Sequence, residues 1–404
     1  MPSTPSSIEC RKFEIFFSND HSFELGITVT ASILFFGDFA PDFQQQTTLL
    51  GQGACLFADL TTVIEQSSHC IVNLEAPLCK KGEKIAKSGP SLRLHPEIAG
   101  VLKRNGVDIV SLANNHIKDF GALGISETIE SCISAGVDYY GAGENSQAAT
   151  TPCIKNLDGR SVALLSVAEA EFNISGENEA GAAELDIIRI SRQLRALKRR
   201  CDFVILSIHG GVEHFQLPPQ HLRHACHFFV EEGADAIICH HSHVPGCFEI
   251  VGNVPIFYGL GNLLMPSRPE RPLWHLGYGV RLEGFQGGNL AFELIPYRYE
   301  DRTFRVKLML GAEATKFVRG LEQFSAVMND ETHYANALAT HYRTDRGKLL
   351  LLVPPLLRPI ARLPVGLWLI RAFRRRDLRR KLNIIRCPSH RESLISQLEG
   401  QKDV

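Results

Sequence analysis

Polar side chains that could bind metals or move protons follow five short apolar runs of this 404-residue sequence, at the point where each run ends. They are Asp38; Asn73 and Glu75; Asn114, Asn115 and His116; His209 and Glu213; and His240, His241 and His243. The runs are rich in Val, Ile, Leu and Phe, which is typical of buried strands. In open α/β sheets ligands bind beyond the carboxyl ends of the strands, so we expect these side chains to converge on one site.

The chemistry of this set favours divalent metals. Imidazole, carboxylate and amide oxygen ligands without thiolate suit Mn, Fe, Co, Ni or Zn. His241 and His243 would face the same way on a strand, or could diverge to two metals from a loop. Two metals about 3.5–4 Å apart, bridged by one carboxylate, would activate water and stabilise a developing oxyanion.

Each of these residues also has a purely structural interpretation. Asp38 could cap a helix, Asn115 could cap a helix that begins near Asp119, His209 could be a turn or core histidine, and Glu75 could be a solvated loop residue. All of these interpretations would have to hold together at the equivalent ends of separate strands. The shared position therefore favours a functional site.

The elements that must position this site alternate between about residues 29 and 265. Strands are predicted at Thr30–Phe36, Cys70–Asn73, Val107–Leu112, Ser161–Val167, Phe203–Ile208 and Ala236–Cys239, with further ones at Pro255–Tyr258 and Asn289–Ile295. Helices are predicted at Cys55–Ser68, Pro96–Asn105, Ile125–Ala135, Asp186–Lys198 and Pro219–Glu232, and Gly136 and Gly233 are placed to end two of them. This alternation predicts an α/β layered fold.

The composition is that of a globular chain with a basic C-terminal part. The hydrophobic fraction is 44% and the charged fraction 22%, which excludes a mainly disordered chain. Between Arg343 and Arg386, 13 Lys and Arg stand against Asp345 and Asp377, a net +11, so the remainder carries −12 to reach the total of −1. Helices are predicted at Ala312–Asn336 and Gly366–Arg386. The second, apolar and then basic, could lie on an anionic membrane surface or dock on the acidic body.

Cysteine usage and the N-terminal residues bear on the compartment. The 11 cysteines form no CxxC pair, which indicates reduced thiols in a cytosolic protein. The first 20 residues have neither the basic region nor the apolar region of a signal peptide. No uninterrupted apolar stretch reaches the ~20 residues of a membrane-spanning helix. We therefore expect a cytoplasmic protein, either free or peripheral on the inner face of the membrane.

Six motifs, in order, resemble the capsule synthesis protein CapA family of bacterial poly-γ-glutamate synthesis, which is similar to the calcineurin-like metallophosphoesterases. They are GD at 37–38, NLE at 73–75, ANNHxxDxG at 113–121, HGGVE at 209–213, HHSHV at 240–244 and FYGLGN at 257–262. The resemblance spans residues 31–300. It implies a four-layer α/β/β/α metallophosphoesterase-like sandwich over residues 30–300, between an N-terminal extension, 1–29, and a helical, basic C-terminal segment, 301–404.

The resemblance implies a role for each polar residue of these motifs. Asp38 and His243 would bind a first divalent ion, Asn115, His209 and His241 a second, and Glu75 would bridge the two. His116 would be the general acid that protonates a leaving group, and Asp119 would orient it. Asn262 would hold substrate or a loop beside the site, and Asn73, Asn114 and Glu213 are further candidates for substrate contact.

The sequence departs from the metallophosphoesterase pattern at the first metal. Those enzymes have Asp-x-His where this chain has Asp38, Phe39 and Ala40, so one histidine ligand is missing, and Glu75 replaces a bridging aspartate. CapA relatives share both changes. The implied cofactors are therefore one or two divalent ions such as Mn, Fe or Zn. CapA-type proteins are also commonly anchored near their N-terminus, whereas the basic segment of this chain lies at the other end.

Two classes of function fit these observations. The first is a metal-dependent hydrolase that resembles CapA and acts on a phosphoester or on an amide or γ-glutamyl bond, with His116 as the general acid. The second is a non-catalytic accessory protein of a membrane-associated assembly that makes a polyanionic capsule. The expected partners are an anionic small molecule or polymer, capsule synthesis proteins and an anionic membrane surface. Nucleic-acid binding ranks last, because few aromatic residues interleave with the arginines.

Overall fold

The computed structural model describes residues 30–52, 57–287, 290–300, 303–344 and 378–399. Its strands are β1 (Thr30–Phe39), β2 (Ser67–Leu74), β3 (Ile109–Ser111), β4 (Asp138–Tyr140), β5 (Ala142–Gly143), β6 (Cys153–Leu157), β7 (Arg160–Ala168), β8 (Gly181–Ala182), β9 (Phe203–His209), β10 (Ala236–His240), β11 (Phe248–Val251), β12 (Val254–Phe257), β13 (Asn262–Leu264), β14 (Leu276–Glu283), β15 (Ala291–Tyr299) and β16 (Val306–Leu308). Every strand predicted from the sequence overlaps one of these, so the predicted strands are confirmed.

These strands form two large mixed sheets and a small sheet of β5 and β8. The first sheet has the order β16-β15-β14-β1-β2-β3-β4, with β13 also paired to β1. In it β1 to β4 run parallel and β14 to β16 antiparallel. The second sheet has the order β11-β12-β10-β9-β7-β6, with the antiparallel strands at its two edges. Both sheets thus contain a parallel centre whose strands end on one side.

Buried apolar side chains form three layers around these sheets. Along β1, Ile33 and Phe35 face the second sheet and belong to the cluster between the two sheets. Leu34 and Phe36 alternate with them and face the helices outside the first sheet. A third cluster packs helices on the outer face of the second sheet. Because side chains alternate along a strand, each sheet buries both faces, and the predicted four-layer α/β/β/α sandwich is confirmed.

The helices are α1 (Phe43–Gln52), α2 (Thr61–Glu65), α3 (Ile98–Arg104), α4 (Gly121–Ala135), α5 (Ser146–Ala149), α6 (Ile187–Lys198), α7 (Gln220–Glu231), α8 (Gly311–Ala326), α9 (Glu331–Thr344), α10 (378–386) and α11 (Pro388–Glu399). Four of the predicted helices correspond to α3, α4, α6 and α7. Gly136 ends α4 with a left-handed φ of 67°, a conformation that glycine adopts without steric cost.

Two predicted helices are wrong in extent. The helix predicted at Cys55–Ser68 is only α2 after a 3₁₀ turn, because Ser67 already begins β2 and pairs with Thr30 of β1. The single helix predicted at Ala312–Asn336 is interrupted: the Asp330 carboxylate accepts hydrogen bonds from the backbone N–H groups of Thr332 and His333 and so starts α9 as a separate helix. Of the helix predicted at 366–386, residues 366–377 lie outside the described residues, as does the extension 1–29.

Two sequence expectations about the whole chain can be compared with the structure. The nine cysteines within the described ranges are free thiols, as predicted. In the same part of the chain, no helix has both the length and the apolar character needed to cross a membrane. The division at residues 29 and 300 stays a prediction, but α9 contributes buried Tyr334, Leu338 and Tyr342 to the core outside the second sheet.

The C-terminal helix α11 is fastened to the core through His221 of α7, and we call this contact the C-terminal clasp. His221 Nε2 lies 2.7 Å from Glu169 Oε1, and His221 Nδ1 lies 2.6 Å from Glu392 Oε2 of α11. Ser389 also donates to Glu169 Oε1 over 2.9 Å. Burial lowers the pKa of His221, but the hydrogen bonds to Glu169 and Glu392 outweigh it and raise the pKa to about 9. The imidazole is therefore charged at neutral pH.

We predict that the clasp makes stability depend on pH on the alkaline side. A histidine pKa raised on folding contributes its full stability below the unfolded value of about 6.5 and loses it as pH rises through the folded value. The free energy of unfolding should therefore fall between pH 6.5 and 9, by about 3 kcal/mol for such a shift. Urea unfolding of wild type and His221→Gln at pH 6 and pH 9.5 measures this. A difference in the free energy of unfolding between the two proteins that stays constant over this range would contradict the prediction. The control is His333→Gln, which replaces an exposed histidine.

Candidate metal centre

The candidate ligands lie where the carboxyl ends of the two sheets meet. In the first sheet Asp38 belongs to the end of β1 and Glu75 directly follows β2; in the second, His209 ends β9. His241 and His243 follow β10 with left-handed φ values of 91° and 56°, which few residues other than glycine adopt. This turn sends the two imidazoles to different groups of ligands, the loop alternative among those that the sequence leaves open.

One group of possible ligands consists of Glu75, His209 and His241, whose nearest donor atoms all lie within 4.8 Å of one another. His209 Nε2 is 3.1 Å from His241 Nδ1 and 3.6 Å from Glu75 Oε1. The amide oxygen of Asn115 joins them, 3.2 Å from His209 Nε2. These four residues are the ones to which the resemblance assigns the second ion and its bridge.

A second group consists of Asp38, Glu75 and His243, again within 4.8 Å. His243 Nδ1 is 3.3 Å from Asp38 Oδ2, and His243 Nε2 is 3.6 Å from Glu75 Oε1. Glu75 is the residue common to both groups, in the place expected of a bridging carboxylate. Ala40, where metallophosphoesterases have a histidine, is buried and adds no ligand atom.

The surroundings of Glu75 test whether a cation fits this place. The carboxylate is completely buried, and neither oxygen accepts a hydrogen bond from the described residues. Burial and the nearby negative charge of Asp38 raise the pKa of Glu75 well above its usual range, against the opposing effect of His243. A buried carboxylate in this state is costly unless a positive charge is bound to it. The donor set of imidazole, carboxylate and amide oxygen therefore fits a divalent ion.

Asp38 differs from Glu75 because its hydrogen-bonding capacity is used. Asn73 Nδ2 donates to Asp38 Oδ1 over 2.7 Å, and His240 Nδ1 lies 3.2 Å from the same oxygen. Burial raises the pKa of Asp38, but the imidazoles of His240 and His243 outweigh it and hold the pKa well below its usual range. Sequence analysis assigned no role to His240, although it belongs to the HHSHV motif.

His116 and Asp119 meet beside the ligand groups. His116 Nδ1 lies 2.7 Å from Asp119 Oδ2, and both side chains are almost completely buried. Lys87, also buried, approaches His116 Nδ1 to 3.2 Å and donates to Asp119 Oδ1. Burial and the charge of Lys87 lower the pKa of His116, while Asp119 opposes them. Sequence analysis missed Lys87, because the loop that carries it has no motif.

Two predicted substrate contacts, Asn73 and Asn114, lie beneath the site. Besides its bond to Asp38, Asn73 Nδ2 lies 3.3 Å from His209 Nδ1. Asn114 Nδ2 donates to the Leu74 carbonyl over 2.8 Å, and Asn114 Oδ1 accepts from the backbone N–H of His116 over 3.1 Å. Both asparagines are buried and hold other site residues in place, so their contact with substrate stays a prediction.

The other two predicted substrate contacts, Asn262 and Glu213, differ in exposure. Asn262 Nδ2 donates to the backbone carbonyls of His243 and Trp274, and Asn262 Oδ1 lies 2.9 Å from His243 Nδ1. These contacts hold a loop, which is one of the two roles predicted for Asn262. Glu213 is exposed at the edge of the site, where its carboxylate lies 3.6 Å from His214 Nε2.

A further carboxylate, Glu171, connects the site with α10. Asn115 Nδ2 donates to Glu171 Oε1 over 3.2 Å, and Asn383 Nδ2 donates to Glu171 Oε2 over 2.9 Å. Sequence analysis missed Glu171, although it closely follows the strand β7. The rule that polar residues after buried strands form the site would have found it.

The chain is similar to several solved structures. A phosphatase of Mycoplasma pneumoniae covers 68% of this chain and 95% of its own at 15% identity and a TM-score of 0.44. The calcineurin-like phosphoesterase YfkN of Bacillus subtilis covers 73% and 97% at 13% identity and a TM-score of 0.39. Both TM-scores are below 0.5, so the fold of this chain rests on its own strand order.

Relatives by sequence come from capsule and polymer synthesis. The capsule biosynthesis protein CapA of Bacillus anthracis is 30% identical over 218 residues, 52% of this chain and 53% of its own. A Mycobacterium tuberculosis protein named "Probable polyglutamine synthesis accessory protein" is 30% identical over 211 residues, 48% and 55%. The chain therefore spans about half the length of the curated relatives it matches. The model of the bacterial capsule synthesis protein PGA_cap family matches residues 32–267, more than half of the chain, and the protein therefore belongs to that family.

Proposed function

We propose that the protein is a metal-dependent hydrolase of capsule or poly-γ-glutamate biosynthesis that cleaves a phosphoester or a γ-glutamyl or other amide bond. The observation that carries this proposal is the buried Glu75 carboxylate, shared by two groups of ligands and without a hydrogen bond from the described residues. The names of the relatives support the biological setting.

The residues divide into two ion-binding groups in this proposal. Asp38, Glu75 and His243 would hold one ion, and Glu75, Asn115, His209 and His241 the other. A divalent ion such as Mn, Fe or Zn, when bound there, would activate water and stabilise the charge that develops on the substrate. His209 and His241 offer imidazoles on one side, and Asp38, whose pKa the imidazoles of His240 and His243 hold well below its usual range against the effect of burial, offers a carboxylate on the other.

His116 would donate the proton that the leaving group needs. Its Nδ1 faces Asp119, so Nε2 is the nitrogen that remains for the substrate. The Asp119 carboxylate fixes the ring, and it is itself held by Lys87 and by the backbone N–H of Leu92, 2.7 Å from Asp119 Oδ2. A ring fixed in this way loses little entropy when the substrate binds.

The substrate and partners in this proposal follow from charge. An anionic small molecule or polymer suits a site that bound cations would make positive. The basic stretch between Arg343 and Arg386 would attach the protein to an anionic membrane face, where capsule synthesis proteins would meet it.

The proposal predicts two metal ions per chain, counted by elemental mass spectrometry after loading with Mn, Fe or Zn. Asp38→Ala and His241→Ala should each lose one ion, since each removes a ligand of a different group. His333→Ala, an exposed histidine of α9, is the control and should retain both. The loaded protein is then assayed with p-nitrophenyl phosphate, bis-p-nitrophenyl phosphate and γ-glutamyl-p-nitroanilide.

Other outcomes of this experiment are equally informative. A single ion, lost only with His241→Ala, would mean that the group around Asp38 holds none without the histidine that Ala40 replaces. No ion and no turnover would contradict the hydrolase and favour a non-catalytic accessory protein; the Mycobacterium tuberculosis relative is named a probable accessory protein.

A further inference from the structure

The loop that follows β13 brings an indole ring against the ligand groups. The Trp274 ring is buried, and its centroid lies 5.0 Å from that of His243. Trp274 Nε1 donates to the Pro266 carbonyl over 2.8 Å, and the Trp274 carbonyl accepts from Asn262 over 2.9 Å. The indole is thus fixed at both its ring and its backbone, directly beside a candidate ligand.

Two arginines, Arg268 and Arg271, lie on the same loop as this indole. The Arg268 guanidinium lies over the Trp274 ring, 4.4 Å from its centroid. Arg271 precedes Trp274 by three residues, and the backbone N–H of Trp274 donates to the Arg271 carbonyl over 3.0 Å. Arg268 and Arg271 are half-buried, and neither forms an ion pair with a carboxylate of the described residues. We call Arg268, Arg271 and Trp274 the arginine rim.

An arginine stacked on an aromatic ring keeps its N–H donors at the edge of the guanidinium plane. Stacking on the indole contributes cation–π attraction and restricts the side chain before any ligand arrives. The free edge can then form two parallel hydrogen bonds with a carboxylate or phosphate. An arginine prepared in this way, beside a candidate metal centre and with no ion-pair partner among the described residues, has the properties of an anion-binding group.

We propose that Arg268, supported by Arg271, binds an anionic group of the substrate that lies away from the bond that is cleaved. That group is an oxyanion, either a carboxylate, as in a glutamate polymer, or a phosphate. The inference rests on the proposed function for the identity of the ligand as a substrate, but the binding site itself can be tested without turnover. The substrate is accordingly expected to carry at least two anionic groups, one at the metals and one at the arginine rim.

Binding is measured by the fluorescence of Trp274. The chain has two tryptophans, Trp274 and Trp368, so Trp368→Phe leaves Trp274 as the only one. In that background, metal-free and Mn-loaded protein are titrated with tri-γ-glutamate and, separately, with inorganic triphosphate, and equilibrium dialysis provides a second measurement. Adding Arg268→Ala should weaken the preferred probe about ten-fold or more, the effect of losing a charge-assisted hydrogen bond. Adding Arg268→Lys, which keeps the charge without the two-donor edge, should fall between.

The controls separate this proposal from the hydrolase. Arg319→Ala removes an exposed arginine of α8 and should leave binding unchanged. Binding that depends on Arg268 without hydrolysis of any substrate would overturn the proposed function and support the rim. Hydrolysis of a substrate with a carboxylate-bearing leaving group, with the same KM in wild type and Arg268→Ala, would overturn the rim alone; we expect KM to rise about ten-fold and kcat to change little. A wild-type protein that binds neither probe would also overturn the arginine rim. The probe that binds more tightly identifies the anion as a carboxylate or a phosphate.

Discussion

His116→Ala should lower kcat by about 10²- to 10⁴-fold, the contribution of a positioned general acid, while the metal content stays that of the wild type. The imidazole is not a member of either ligand group, so its removal leaves the ions in place. It is held by Asp119 on one side, so Nε2 is the atom whose proton is lost with the variant. The measurements are steady-state kinetics and elemental mass spectrometry on the same preparation.

The leaving group provides the internal control for this prediction. A nitrophenolate leaves without much help from an acid, whereas an alkoxide needs a proton, so the loss in His116→Ala should be far larger for alkyl phosphates than for p-nitrophenyl phosphate. His333→Ala should behave as the wild type with both substrates. Equal losses with both leaving groups, or a parallel loss of metal, would contradict the role of general acid.

Glu75→Gln should weaken both ions at once, because Glu75 is the residue that the two ligand groups share. The change removes one negative charge and leaves the volume nearly the same, so both affinities should fall more than 100-fold, beyond the 10- to 100-fold that outer contacts of a metal site contribute. Turnover should disappear with the ions. Equilibrium dialysis against Mn, followed by elemental analysis, measures the two affinities.

The same variant should have the opposite effect on the metal-free protein. The wild-type carboxylate is buried and accepts no hydrogen bond within the described residues, so a neutral amide there should raise the free energy of unfolding when no ion is bound. Glu322→Gln, the same change at an exposed position of α8, should alter neither metal affinity nor stability. Loss of one ion alone would show that Glu75 is not a bridge.

The fold and the clustering of these polar residues were predictable from the sequence for a common reason. Strand ends can be recognised from apolar runs, and in parallel sheets the polar residues at those ends must meet. Residues such as Asp38 and Glu75 therefore came together as predicted. His241 and His243 were harder, because their left-handed backbone breaks the alternation of a strand, and the sequence left two arrangements open.

What the sequence did not predict depends on loops and on tertiary contacts. Lys87 reaches Asp119 from a loop without periodicity, and Arg268 matters only through the indole on which it stacks. The continuous helix predicted at Ala312–Asn336 was wrong because the capping side chain of Asp330 outweighed the helical periodicity around it. Such side-chain contacts leave little trace in patterns of hydrophobic residues.

The Glu171 carboxylate links α10 to the candidate metal centre through hydrogen bonds. Its two oxygens are divided between Asn115, a candidate ligand, and Asn383 of α10. If the attachment of α10 changes the ion affinity by some factor, ion binding changes the equilibrium of that attachment by the same factor, because coupling free energy is reciprocal. We therefore expect ion binding to change the protection of α10 from proteases, although none of its described residues is a candidate ligand.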